Sequence, residues 1–197
     1  MAQEADLGPV LRAVLGQLDV WWWGAVTNHM AGLTDDQFFW RPTPDAFCLR
    51  REGDALFYEW PPGSRGETTP PVTTIAWRLA HVAQGCFMAR WHTYFGDGML
   101  EDWTAQPFPA TAAGALRYLE EWKTKWCDAL RAAGEQKLWE PLTGIEGDVP
   151  YMQLGVGDPF IGIVLHVNRE VMHHGAEICL LRDLYRSAND AEFPPAT

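Results

Sequence analysis

The stretch IGIVLHVNREVMHHGAEICLLRDLYR, residues 161–186, sets how the rest of the chain is read. On a helix advancing about 100° per residue, Val164, Val167, Val171, Ile178, Leu181 and Tyr185 gather into one apolar arc. His174 falls inside that arc and Glu170, one turn earlier, lies on its shoulder, whereas His166 and His173 point a quarter-turn or more from its centre. Side chains four apart are neighbours on a helix surface, so a carboxylate and an imidazole at this spacing can share one metal ion. The pair needs at least one further ligand from another element.

The chain around this stretch has 197 residues, enough for one full hydrophobic core and short for two, so a single domain spanning 1–197 is expected. Its 47% apolar and 21% charged residues are ordinary for a globular protein, but 11 Trp imply large aromatic packing units or a lined pocket. A net charge of -11 without a Lys/Arg cluster argues against nucleic-acid partners and against an anionic membrane surface. Cys48, Cys86, Cys127 and Cys179 stand far apart with no C-x-x-C pair, which reads as reduced thiols in a cytoplasmic setting. Neither a signal-peptide pattern nor an apolar run long enough to span a membrane is present, so none is expected.

From the N-terminus, Leu7, Leu11, Val14, Leu18, Trp21 or Trp22, and Ala25 recur at helical steps and predict a first helix from about Ala5 to Met30. Trp23 is left on another face, His29 suits the helix C-terminus, and Thr34-Asp35-Asp36 reads as a turn. Pro and Gly interrupt the pattern from Arg41 to Pro71, which predicts a long ordered crossover whose one plausible strand is Ala55 to Trp60. Thr73 or Thr74 caps a second helix ending at Gly96, with Ile75, Leu79, Val82 and Cys86 on one face and Trp77, His81, Met88, Trp91 and Phe95 on the other. His92 falls on that second side near the helix end. Thr111 opens a third helix that stops at Gly134. A Gly/Pro-rich loop with room for a short extended pair leads to Asp158-Pro159, read as the cap and first residue of the fourth helix. The tail after Ser187 is expected to fray.

The expected fold class is therefore all-α: a four-helix bundle with a long crossover between helices one and two. Bundle cores hold metals with inward polar residues from facing helices, and three such residues result: His81, Glu170 and His174. His166 and His174 lie roughly 12 Å apart along the axis, too far for one ion. Two His and one carboxylate form a zinc set with coordination positions left open, and the set also suits Fe(II), Ni(II) or Mn(II). Glu177 either orients a ligand from behind or is a solvated face residue.

The segments HVNREVMHHGAEICLLRDLY and VTTIAWRLAHVAQG, with the WRP and YEWPP stretches of the crossover, resemble the DinB-like superfamily, which includes the metal-binding domain of mycothiol-dependent maleylpyruvate isomerase. The resemblance implies a metal held by one His of the second helix and a His-x-x-x-His pair of the fourth. The matching positions are His81, Glu170 and His174, so the first member of the pair is Glu here, as in the isomerase-like branch. No counterpart of that isomerase's extra C-terminal domain is read in the sequence, so its particular reaction is not carried over. The resemblance implies a divalent-metal-dependent enzyme, a thiol-dependent transferase or isomerase acting on a small electrophile. It would use zinc first among the candidate metals and a low-molecular-weight thiol such as mycothiol or bacillithiol. Trp77 and Gln84, one turn either side of His81, are candidates to wall its pocket. The alternative is a non-catalytic metal-binding stress-response module. A homodimer is expected in either case, because the Trp content exceeds what a bundle of this size readily hides.

Overall fold

The computed structural model describes residues 7–64, 70–98, 102–143 and 154–189, the side chains of 20–23 excepted. The facing of Trp23, the 144–153 part of the Gly/Pro-rich loop and the tail beyond 189 lie outside the described residues. So does the chain before residue 7, where the first helix was expected to begin.

Helix α1 is built from the consecutive stretches Pro9–Gly16, Gln17–Trp22 and Trp23–Met30. Its N-cap, Gly8, has no side chain to offer, and the Glu135 carboxylate accepts from the Val10 and Leu11 amides instead, at 2.8 and 3.0 Å. The middle stretch winds as a π-helix, whose wider turn takes up one extra residue. The buried face consequently changes phase. Leu11, Val14 and Leu15 point inward before the wide turn, Leu18 within it, and Val26 and Met30 after it, while Ala25, expected inward, is exposed.

The segment Thr34-Asp35-Asp36, expected as a turn, opens a short helix α2, Asp35–Phe39. Thr34 and Gln37 form a reciprocal capping box, and Phe38 seals into the core. The crossover carries strands β1 (Arg50–Glu52) and β2 (Ala55–Phe57), which form an antiparallel hairpin joined on the other side of β2 by β3 (Phe108–Pro109). Only β2 falls where a strand was expected; β1 and β3 are too short to carry a visible alternation. Leu56 opposite Phe108 plugs the hairpin into the core. The chain leaving β2 therefore runs Tyr58, Glu59 and Trp60 onto the next helix, where the Trp77 indole donates to the Glu59 carbonyl at 2.9 Å.

Helix α3 comprises Ile75–Ala80, a π-helical stretch His81–Met88, and Ala89–Phe95. Thr74 caps it by accepting from the Trp77 amide. Helix α4, Ala112–Ala133, starts at the Thr111 cap and stops at Gly134, whose φ of 75° a side chain would disfavour. Helix α5 runs Ile161–Asn189, starting two residues later than Pro159. The reason is local pairing: Leu142 donates to the Asp158 carbonyl at 2.8 Å and Phe160 to the Glu140 carbonyl at 2.9 Å, which ties 158–160 to the 140–142 segment across an isolated Pro141–Pro159 bridge. Helices α1, α3, α4 and α5 close around one hydrophobic cluster that includes Leu18, Phe87, Trp126, Phe160 and Val167. The chain is an all-α bundle with a small three-stranded sheet laid on it.

Candidate metal centre

The inward faces of α3 and α5 bring His81, Glu170 and His174 together, and their ligand atoms all lie within 4.8 Å of one another. His174 Nε2 is 3.5 Å and His81 Nε2 3.7 Å from the same Glu170 oxygen, Oε2. The two imidazoles meet edge to face with centroids 4.8 Å apart. Two ligands of a tetrahedral zinc ion, bonded at about 2.0–2.1 Å, stand about 3.3 Å apart. The closer two of these separations are near that value, so small side-chain rotations suffice and the donor set fits a divalent ion. Side-chain exposures of 12% for His81, 19% for Glu170 and 11% for His174 leave the cluster shielded but reachable from solvent.

The charge state suits the same purpose. The His174 and His81 imidazoles hold the Glu170 carboxyl well below the usual carboxylate range, against the opposing effect of burial. At 3.5 and 3.7 Å these contacts are too long for hydrogen bonds and act through charge and dipole. Burial pushes His174 down to about 4, the nearby Glu170 opposing it. An ionised carboxylate and a neutral imidazole are the forms that bind metal.

Each imidazole is also held from behind. The His174 Nδ1 is 2.8 Å from Glu177 Oε2, and Glu177 is in turn ion-paired with Arg78. Arg78 Nη1 stands 3.2 Å from the same ring nitrogen. Two donors cannot bond each other, so with Nε2 free for a metal, Nδ1–H donates to Glu177 and Arg78 acts on the ring through that carboxylate. On the other helix, Tyr58 Oη lies 3.0 Å from His81 Nδ1 and accepts from it in the corresponding tautomer. Tyr58 is buried, and burial, with Cys86 and Glu170 nearby, raises its pKa far above the ordinary value. The phenol is thus kept neutral.

Around the ligands, Trp77 stacks on His81 at 5.3 Å and 3°, and its edge meets His174 at 6.1 Å. Gln84 is fully buried and turns its amide to the carbonyls of Gln106 and Pro107, at 3.0 and 3.4 Å, so it braces the approach to β3. His173 is 63% exposed, outside the cluster, and His92 packs against Trp91 and Trp122. His166 is buried, contrary to its off-arc position on the helical wheel, with Nδ1 3.8 Å from the other Glu170 oxygen and 2.7 Å from Arg169 Nη2. It flanks Glu170 without joining the ligand group.

Sequence reasoning missed Tyr58, Arg78 and the placement of His166. Tyr58 stands in the crossover, where helical periodicity has no reach. Arg78 and Glu177 lie 99 residues apart, and no local pattern announces their pairing. His81 opens the π-helical stretch of α3, and such wide turns recur at functional sites.

The profile of the DinB superfamily matches residues 19–178, a span that contains His81, Glu170 and His174, and the chain belongs to that superfamily. Neither a curated protein nor a solved structure matches it.

Proposed function

We propose that His81, Glu170 and His174 hold a catalytic divalent ion, zinc before iron, nickel or manganese, in an enzyme that transfers or isomerises a small electrophile with the help of a low-molecular-weight thiol. The observation that carries this reading is the convergence of exactly the metal-binding atoms of two imidazoles and one ionised carboxylate on a shielded but reachable spot. A bound divalent ion supplies a lowered thiol or water pKa and polarises an electrophile. Glu170 contributes one negative charge, so the loaded ligand set stays positive and attracts a thiolate. Glu177 and Tyr58 fix the ring tautomers and orientations of His174 and His81, which keeps the ligands in place without rearrangement. Trp77 stacks over His81 and keeps bulk water from that side.

Two further proposals accompany it. Free cysteines throughout support a cytoplasmic setting. Among the described residues no helix is long and apolar enough to cross a membrane. A homodimer is supported by Leu180 and Leu184, one turn apart on α5 and both exposed; a monomeric mass in light scattering at micromolar concentration counts against it. The enzymatic reading is tested by metal analysis of protein purified without an affinity tag, paired with a thiol-conjugation screen over small electrophiles. Stoichiometric zinc with metal-dependent conjugation is the expected result. Stoichiometric metal with no turnover favours the binding module, and absence of tight metal overturns both.

A further inference from the structure

We propose that the small molecule received at this centre carries a planar aromatic or conjugated body and an anionic head, and that Trp60 and Trp103 seat the planar part. The inference deepens the metal-centre reading and rests on it. Trp60 is 48% exposed, unusual for so large an apolar ring lying against a site. It stands nearly perpendicular to three rings at once: His81 at 5.7 Å and 71°, Tyr58 at 5.3 Å and 88°, and Trp103 at 6.2 Å and 80°. The hydrophobic core does not include it. Its exposed half therefore lies beside a proposed ligand ring and outside the core.

Trp103 is fixed in place by two separate devices. The Asp102 carboxylate caps its short turn, accepting from the Thr104 and Ala105 amides at 3.0 and 3.2 Å. On the facing helix, Gly85 clears the space: a Cβ there would stand 3.1 Å from the Trp103 ring and 3.6 Å from His81 Nδ1. The absence of a side chain at position 85 thus lets an indole lie directly over the turn that carries His81. Rings held this way offer contact to another ring at little ordering cost, which a flexible aliphatic chain cannot match.

The head group follows from charge. Glu177 is neutralised by Arg78, Glu170 carries one negative charge, and Arg169 stands exposed with Nε 3.6 Å from Glu170. With a divalent ion the centre is net positive, so a carboxylate, thiolate or similar anion is the favoured head.

The test uses the zinc-loaded full chain and three hydroxamates sharing one metal-binding head: benzohydroxamate, cyclohexanecarbohydroxamate and acetohydroxamate, titrated by calorimetry. The expected result is benzohydroxamate binding at least about fivefold tighter than either of the others, the ratio that one or two ring contacts supply. Trp60→Ala and, separately, Trp103→Leu should reduce that preference to less than about twofold. Zinc stoichiometry and acetohydroxamate affinity should stay unchanged, which also reports that the site survives. Equal affinities in the parent protein, or a loss in the variants shared by all three probes, overturn the proposal while leaving the metal reading intact. Failure to retain zinc before any probe is added overturns the metal reading, and this proposal with it.

Discussion

Glu177 and His174, one turn apart on α5, are joined at 2.8 Å through Nδ1, while the Nε2 of the same ring faces Glu170 at 3.5 Å. The imidazole therefore bridges a carboxylate that can orient it and a carboxylate that can share a metal with it. Replacing Glu177 by Gln removes the charge behind the ring and leaves Arg78 without its counter-ion. Metal affinity should fall by about 10- to 100-fold, as found when such supporting carboxylates are lost. Competition with a chromophoric chelator measures this directly, and unchanged affinity would make Glu177 a bystander.

The ligand set is distinguished residue by residue. His81→Ala and His174→Ala should each abolish tight metal binding. His173→Ala, next door in sequence but exposed on another side of α5, should leave stoichiometric metal. Metal-to-protein ratios after dialysis decide it, and loss of metal in the His173 variant would contradict the assignment.

Glu170→His should retain metal, because an imidazole can replace the carboxylate as a ligand. The site gains one unit of positive charge, so the bound water or thiol should titrate at lower pH than in the parent. A pH profile of metal-dependent conjugation, or of a cobalt-substituted spectrum, should shift in the acid direction; a shift the other way would place Glu170 outside the ligand set.

Acid should destabilise the metal-free protein over a defined window. Burial pushes both His174 and His166 down to about 4 from an ordinary 6.5, so between these values the unfolded chain binds protons that the native chain does not. Their neutral burial costs nothing above pH 6.5, and stability falls as pH drops through that range. Glu170, held below its ordinary 4.5 by His174 and His81, stabilises the fold above that pH and begins to lose its contribution beneath it. All three effects have the same sign. Melting temperatures of chelator-treated protein should decline from about pH 6.5 downward, and a flat profile would refute the buried neutral histidines.

The bundle was legible wherever a signal is local. Thr74, Thr111 and Gly134 mark helix ends because a cap satisfies amides or carbonyls within a turn of itself. The four-residue spacing of Glu170 and His174 puts them on one face whatever lies opposite, and the apolar residues around His81 mark an inward position on α3. The start of α5 was not legible, because Phe160 is drawn to the Glu140 carbonyl by a strand-like pairing that no helical pattern announces. Nor was the phase of α1 beyond its π-helical turn, where Val26 and not Ala25 is buried. Tyr58 reaches His81 from 23 residues away, and Arg78 reaches Glu177 from 99. The sequence by itself determined where the four long helices run, to within a few residues, and that His81, Glu170 and His174 turn inward on two of them, since both depend on a period of a few residues. Only the tertiary structure decided what meets those faces, because that depends on how helices distant in the chain rotate and slide until their side chains interlock.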